Sequence, residues 1–429
     1  MRWFSRTSPG AVGFRLLLAA GMTAMTAPAF AAEDAAKPSA PPATATAESP
    51  PIDPAVLLGA QVRLGNTLIG KLAAGKSAGA NVVVSPASLA VVFALLDMGA
   101  NDDMRQAIHR TLGFDGAKDT AHDTAAHDLA GTRATATSIM RRAAAEGPLA
   151  LANIVVFDPA SQPLQPAMER LRTAGATVAV EDLAKPETVT HINTWVKEQT
   201  RGLIPTVLEE PPARGGLVAV NALYFKDRWK TPFDPAATRD RPFHVSVDKT
   251  LDVPMMRSEG HFAFRQDDKF VAVQLAYTSD YELVVVTSKD APLGVGEFAG
   301  AADWLGGQGF SQSDGEVVLP RFSASGSEQL LGALDALGLA EARQSPDALK
   351  GFAAAPQVIA QVMQKTELRI NEEGTEAAAA TAVITTRSAA PLPAGYVNMT
   401  VDKPFVFALR DKTTGLVMLQ GYVAEPAKN

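Results

Sequence analysis

Apolar residues recur at helical spacing through Leu57, Leu58, Val62, Leu64, Leu68, Ile69 and Leu72, which predicts an amphipathic helix over Pro54 to Ala74. A short apolar run, Val82 to Val84, follows. Ser85-Pro86 then has the chemistry of a helix start, with a serine oxygen for the cap and a proline in the first turn. The helix so opened, Pro86 to Met98, is apolar almost all round (Leu89, Val91, Val92, Phe93, Leu95, Leu96) and belongs inside the fold. Leu151 to Phe157 reads as a strand, and Leu217 to Lys226 as a strand buried on both faces. Further strands are expected at Val271 to Tyr277, Tyr281 to Ser288, Glu316 to Phe322 and Val362 to Asn371, and helices at His191 to Arg201, stopped by Gly202, and Gln329 to Leu339. Pro404 to Arg410 and Leu416 to Val423 pair as a hairpin across Asp411 to Gly415. Helices crowd the first half and strands the second, which predicts an α+β fold.

One segment stands apart from this patterning. Glu372 to Val383 reads EEGTEAAAATAV, two acids, a glycine and a threonine ahead of four alanines and β-branched residues. Taken alone, it is a short helix capped by Thr375, or a linker. The run Ala377 to Ala380 offers no apolar stripe, however, and so short a helix is marginal without burial. The other reading is a loop with strand potential, whose small side chains can enter a packed structure that larger ones could not.

Composition sharpens the picture at the ends. Arg2, Arg6 and Arg15 precede the apolar run Leu16 to Ala27, and Ala29-Phe30-Ala31 gives a small-x-small cleavage site, the pattern of an export signal over residues 1–31. There is no twin-arginine pair, so the general secretory route is the simpler expectation, to the periplasm or beyond. Residues 32–51 are almost all Ala, Pro, Ser, Thr, Glu and Asp and are expected to form a disordered spacer. No second linker interrupts residues 52–429, which are expected to form one large domain. The chain has no cysteine, which excludes disulfides, a thiol nucleophile and thiolate metal ligands. The formal charge of -7 becomes about -10 when the three leader arginines are taken off, which argues against nucleic acid as a partner. Beyond the leader, no segment is long and apolar enough to span a membrane.

Two catalytic motifs match in letters only. Gly70-Lys71-Leu72-Ala73-Ala74-Gly75-Lys76-Ser77 fits the P-loop pattern, but a phosphate cradle needs a strand before it and a helix N-terminus after it, and here the order is reversed. Gly75-Lys76-Ser77-Ala78-Gly79 fits the nucleophile elbow and fails on the same context, which leaves a hydrolase without support. The six histidines, His109, His122, His127, His191, His244 and His261, are scattered, and neither a metal site nor any cofactor is expected.

Six landmarks occur in a fixed order. They are Asn81 to Leu89 (NVVVSPASL), His191 to Val196 with Thr200 to Ile204 (HINTWV, TRGLI), Asn221 to Trp229 with Pro232-Phe233 (NALYFKDRW, PF), Val253 to Met256 (VPMM), Leu319 to Phe322 (LPRF) and Asp402 to Phe407 (DKPFVF). Together they resemble the serpin family over nearly all of Pro54 to Pro426. The resemblance implies a single large α+β domain whose main β-sheet accepts a reactive loop as an extra strand. It implies an inhibitor and not an enzyme: a monomer that offers a bait loop to a serine or cysteine protease, is cut, and traps the covalent acyl complex by inserting the freed loop. Within that frame, Glu372, Glu373, Gly374, Thr375, Glu376, Ala377, Ala378, Ala379, Ala380 and Thr381 resemble the loop hinge of inhibitory members. On a strand, Thr375, Ala377, Ala379, Thr381 and Val383 share the inward face, and none is charged.

The same resemblance assigns Ser85, Ser88 and Asn193 to a shutter beneath the sheet, with Gln364 at a position where the family often has histidine. It assigns Trp229, Arg321 and Glu372 to the breach where the loop enters, with an Arg321 to Glu372 pair closing its top. Tyr422 departs from the basic residue usual there. Counting from the hinge glycine puts the reactive bond at Ser388-Ala389, and a loop one residue shorter puts it at Arg387-Ser388. Arginine suits an acidic trypsin-type pocket, and serine or alanine a small elastase-type one. The alternative function is a serpin-fold carrier that inhibits nothing.

Overall fold

The computed structural model describes residues 54–76, 79–112, 147–375 and 395–426, all within the compact unit Ser49–Asn429. Helix α1 (Pro54–Ala74) has the predicted bounds and buries Leu64, Leu68 and Ile69. Strand β1 (Val82–Val84) leads into α2 (Pro86–Asp97), every residue of which is buried. Its start is fixed as the sequence predicts, because the Ser85 side chain accepts from the Ser88 N–H and Pro86 occupies the first turn. Helix α3 (Asp102–Leu112) follows, with acids in its first turn and bases in its last.

The strands then run β2 (Leu149–Phe157), β3 (Thr177–Val180), β4 (Gly216–Phe225), β5 (Asp227–Arg228), β6 (Arg239–Ser246), β7 (Lys249–Gln266), β8 (Phe270–Ala276) and β9 (Tyr281–Ser288). After them come β10 (Ser311–Pro320), β11 (Phe322–Gln329), β12 (Val358–Asn371), β13 (Gly374–Thr375), β14 (Val397–Thr400), β15 (Phe405–Asp411) and β16 (Val417–Val423). Between β2 and β4 lie helices α4 (Gln165–Thr173) and α5 (Pro186–Gln199).

These strands form two sheets among the described residues. One runs β3-β2-β4-β12, with β11 on the far side of β12 and with β13 and β5 closing one end. The other runs β1-β16-β15-β9-β8-β7-β10-β14, with β6 beside β7. A single large core lies between the sheets and around α2. A second apolar cluster covers the opposite face of the first sheet, where Ile192 and Val196 of α5, with Ile204, Val207 and Leu208, pack on Val218, Val220, Ala222 and Tyr224. That cover explains why all ten residues of β4 are buried, as its unbroken apolar sequence predicts.

Some expectations needed correction. Gln329 ends a strand and does not start a helix; helical structure begins at Leu331 and is broken at Gly338, where φ is 108°. The inward residues of β11 are Phe322, Ala324, Gly326 and Glu328, a set too mixed for its period of two to show. Helix α5 starts at Pro186, five residues before His191, with the proline in its first turn.

Candidate functional site

The first sheet has a seam at its centre. Strand β12 pairs with β4 in parallel, from Val358↔Gly216 up to Glu367↔Tyr224, although 132 residues lie between the end of β4 and the start of β12. Parallel pairing is slightly weaker per residue than antiparallel, and this ladder also shifts register between Ile359 and Gln361. A strand entering antiparallel to both neighbours would replace one parallel ladder with two antiparallel ones.

The upper end of the seam already holds the start of such a strand. Gly374 and Thr375 lie between β12 and β5, in the register Ile370↔Thr375 and Asn371↔Gly374 on one side and Arg228↔Gly374 and Asp227↔Thr375 on the other. The chain reverses there through Asn371, whose Oδ1 accepts from the N–H groups of Glu373 (3.0 Å) and Gly374 (3.2 Å). Glycine is required at 374, since a Cβ would stand 2.1 Å from the Asp227 carbonyl oxygen and 2.7 Å from Arg228 Cα. Thr375 is fully buried, with its Oγ1 2.7 Å from the Tyr277 hydroxyl. Burial drives the Tyr277 pKa far upward, so its proton stays in place to hydrogen-bond. Trp229 stacks on Tyr277 at 4.3 Å and donates from its indole to the Asn371 carbonyl (2.9 Å) and from its main chain to that of Glu373 (2.8 Å).

A buried clasp closes the turn from outside. Arg321 Nε lies 2.8 Å from both carboxylate oxygens of Glu372, its Nη2 is 2.6 Å from Oε1, and the Thr238 hydroxyl donates to Oε1 at 2.6 Å. The Glu372 side chain is 6% exposed, so this is no ordinary surface pair. Burial pushes its pKa up, but the hydrogen bonds from Arg321, Thr238 and the main chain outweigh it and hold the carboxyl below its usual range. The clasp is therefore intact above the ordinary carboxylate pKa of about 4.3 and is lost as the pH falls through the depressed value. Glu372→Gln is expected to destabilise the uncleaved protein by about 1–3 kcal/mol at neutral pH. Thermal denaturation at pH 7 and pH 3.5 checks it, the gap between wild type and variant narrowing in acid; an unchanged midpoint at pH 7 contradicts it.

Lower on the seam, three of the four expected shutter residues meet. Gln364 Oε1 accepts from the Ser85 N–H (2.7 Å) and its Nε2 donates to the Ser85 carbonyl (3.0 Å), while Ser85 Oγ donates to Ser88 Oγ (2.8 Å) or to the Met418 carbonyl (2.5 Å). An amide makes this two-way contact with no charge to switch. Asn193 is elsewhere. On α5 its Oδ1 accepts from the N–H groups of Val207 (2.8 Å) and Leu208 (3.0 Å) and its Nδ2 donates to the Leu208 carbonyl, so it fastens the cover over the sheet.

The asparagine at the level of Gln364 is Asn221. The registers Asn153↔Asn221, Asn221↔Gln364 and Gln364↔Glu328 draw a buried polar row across β2, β4, β12 and β11, ended by a Lys76 to Glu328 ion pair. Asn221 Nδ2 donates to Asn153 Oδ1 at 2.7 Å, whereas the Asn221 Oδ1, fully buried, has no partner. The signal for Asn221 was present in the NALYF landmark, but only the pairing brings it to Gln364.

Lys76, the lysine of the P-loop-like string, thus has a structural partner, and the string itself runs from the last turns of α1 toward β1. Tyr422 donates to the Leu293 carbonyl at 3.0 Å, and burial pushes its pKa up to about 12. No group of three or more His, Asp or Glu suited to a metal occurs among the described residues. Glu376 to Thr381 and the reactive-bond residues Arg387, Ser388 and Ala389 lie outside the described residues.

The chain has clear relatives among known proteins. The chain is 28% identical over 366 residues to neuroserpin from Gallus gallus (81% of this chain, 86% of the relative) and 30% identical over 414 residues to the putative serpin-Z6C of Oryza sativa subsp. japonica (85% and 95%). Human thyroxine-binding globulin, solved with its ligand, shares the fold at TM-score 0.75, with 21% identity over 87% of this chain and 100% of that one. The family model described as "Serpin (serine protease inhibitor)" matches residues 60–426, and the chain belongs to the serpin family.

Proposed function

We propose that the protein is an exported suicide-substrate inhibitor of serine-type endopeptidases. It traps the acyl-enzyme by inserting the cut loop into the seam between β4 and β12. The observation that carries this reading is the seated hinge, two residues already antiparallel to both neighbours at the open end of a parallel seam. Continuing both registers downward would set Ala377 opposite Leu368 and Phe225, Ala379 opposite Thr366 and Leu223, and Thr381 opposite Gln364 and Asn221. The two registers, derived from different strands, agree at each step. Glu376 would fall between Lys226 and Arg369, both basic and exposed.

The four alanines gain a reason from this placement. Ala378, Ala380 and Ala382 would not face open water, because β4 at that level lies under the cover of α5 and residues 203–208. Small side chains are thus needed on both faces of the entering strand. About ten new ladder hydrogen bonds at roughly 1 kcal/mol net each supply work enough to distort a protease active site.

Continued along β4, the register reaches its end, Gly216, at Thr386, and a severed bond at or beyond 387, as in both candidates, would let the entering strand fill the length of β4. Incubation of the mature protein with trypsin and with elastase is expected to give an SDS-resistant complex with at least one of them. Arg387→Ala should abolish the trypsin complex and leave the elastase complex if the two proteases use adjacent bonds, and mass spectrometry of the released peptide identifies the bond. Cleavage by both enzymes with no complex from either would favour a non-inhibitory carrier.

A further inference from the structure

Strands β7 and β8 pair only from Ala263↔Gln274 to Gln266↔Val271, then part, as β7 continues along β10 and β8 along β9. The wedge between them is a cleft of about 290 Å³, near the lower end of the range for small-molecule sites. Its apolar lining includes the buried Phe262, Ala263 and Leu275. Glu282, also buried, is held by Arg410, whose buried Nε has no partner of its own. The rim carries exposed Lys230, which has no ion pair among the described residues, and exposed His261, 3.2 Å from Asp314.

We propose that this cleft binds a small aromatic carboxylate bearing a ring N–H or O–H donor. The apolar lining takes the ring, Glu282 accepts the donor, and Lys230 meets the carboxylate at the mouth. An acid fits better than an amine, since Arg410 already neutralises Glu282 while Lys230 is left without a counter-charge. The cleft adjoins the hinge: Lys230 donates its main-chain N–H to Ala276 within the lining, and its neighbour Trp229 holds Glu373 and Asn371. Occupancy therefore tightens the segment on which Gly374 and Thr375 are seated. This coupling rests on the inhibitor reading, and the binding itself does not.

Isothermal titration of the uncleaved protein with indole-3-acetate is the test. Binding is expected with a Kd below about 1 mM. It should weaken about tenfold for naphthalene-1-acetate, which lacks the N–H, and at least about tenfold in Lys230→Glu. Thr231→Trp, a rim change at an exposed position, should block it without touching the core. Hydrogen exchange at Trp229 and Gly374 should slow when the ligand is bound. No binding at millimolar indole-3-acetate, or equal binding by Lys230→Glu and Thr231→Trp, overturns the site. Binding with unchanged exchange at both amides overturns the coupling and leaves the site. A failure to trap protease bears only on the inhibitor reading.

Discussion

Thr375→Arg is expected to turn the protein from an inhibitor into a substrate. Thr375 is fully buried against Tyr277 and paired on both sides, so an arginine there must either leave its guanidinium in the core without a partner or keep the hinge out of the seam. An unpaired buried charge costs several kcal/mol, and each 1.4 kcal/mol or so slows a step about tenfold. In the proposed mechanism insertion competes with deacylation, so a slowing of at least about a hundredfold would send nearly all turnovers to hydrolysis. The bait loop is still cut, because the substitution lies twelve residues or more before either candidate bond. On gels, the SDS-resistant band should disappear while the cleaved form accumulates at an undiminished rate. Thr375→Val keeps the size and removes only the hydroxyl, and should still trap protease. Glu376→Lys, which sets a third base beside Lys226 and Arg369 on the exposed edge, should lower the stability of the cleaved form by no more than about 1 kcal/mol. A covalent complex formed by Thr375→Arg in wild-type yield would remove the seated hinge from the mechanism.

How far the sequence reaches depends on how local each cause is. Helix α1 and strand β9 have the predicted bounds because their own apolar periodicity and end signals decide them. The turn from Glu372 to Thr375 was legible as two acids and a glycine behind a strand, and the Arg321 to Glu372 pair as a match of landmarks. Its burial was not, since that depends on Thr238 and on β12 folding back at Asn371. The shutter shows the limit most clearly. Two asparagines stand in family-like landmarks, Asn193 in α5 and Asn221 in β4, and nothing in either string tells which reaches the centre of the sheet. Register decides it, and register joins residues as distant as Asn153, Asn221, Glu328 and Gln364. Strand β11 escaped notice for a related reason: its inward Glu328 makes sense only beside Lys76, which belongs to another element.

Thr381→Arg should also abolish trapping, but at a later point along the seam. In the extended register Thr381 meets the polar row at Asn221 and Gln364, the level at which Asn221 Oδ1 is buried without a donor. A threonine hydroxyl arriving there would satisfy that oxygen, and the proposed register thus gives a reason for a polar residue at this inward position. Arginine brings a charge to the same place, so insertion should proceed from Thr375 to about Ala380 and then stall. The cleaved product would then show a smaller rise in denaturation midpoint than cleaved wild type, and hydrogen exchange would slow further at Leu223 to Phe225 of β4 while staying unchanged at Gly216 to Val220, which remain paired with β12. Thr381→Val is the finer probe, because it keeps shape and removes the donor. It should still trap protease, and the cleaved form should lose about 1–2 kcal/mol. Combining it with Asn221→Leu tests whether the two side chains meet, since a bond made only after insertion gives a coupling of at least about 0.5 kcal/mol in the cleaved form and none in the uncleaved one. Strict additivity in both forms would mean that the strand enters in another register, and the assignment of Thr381 to the polar row would then fall.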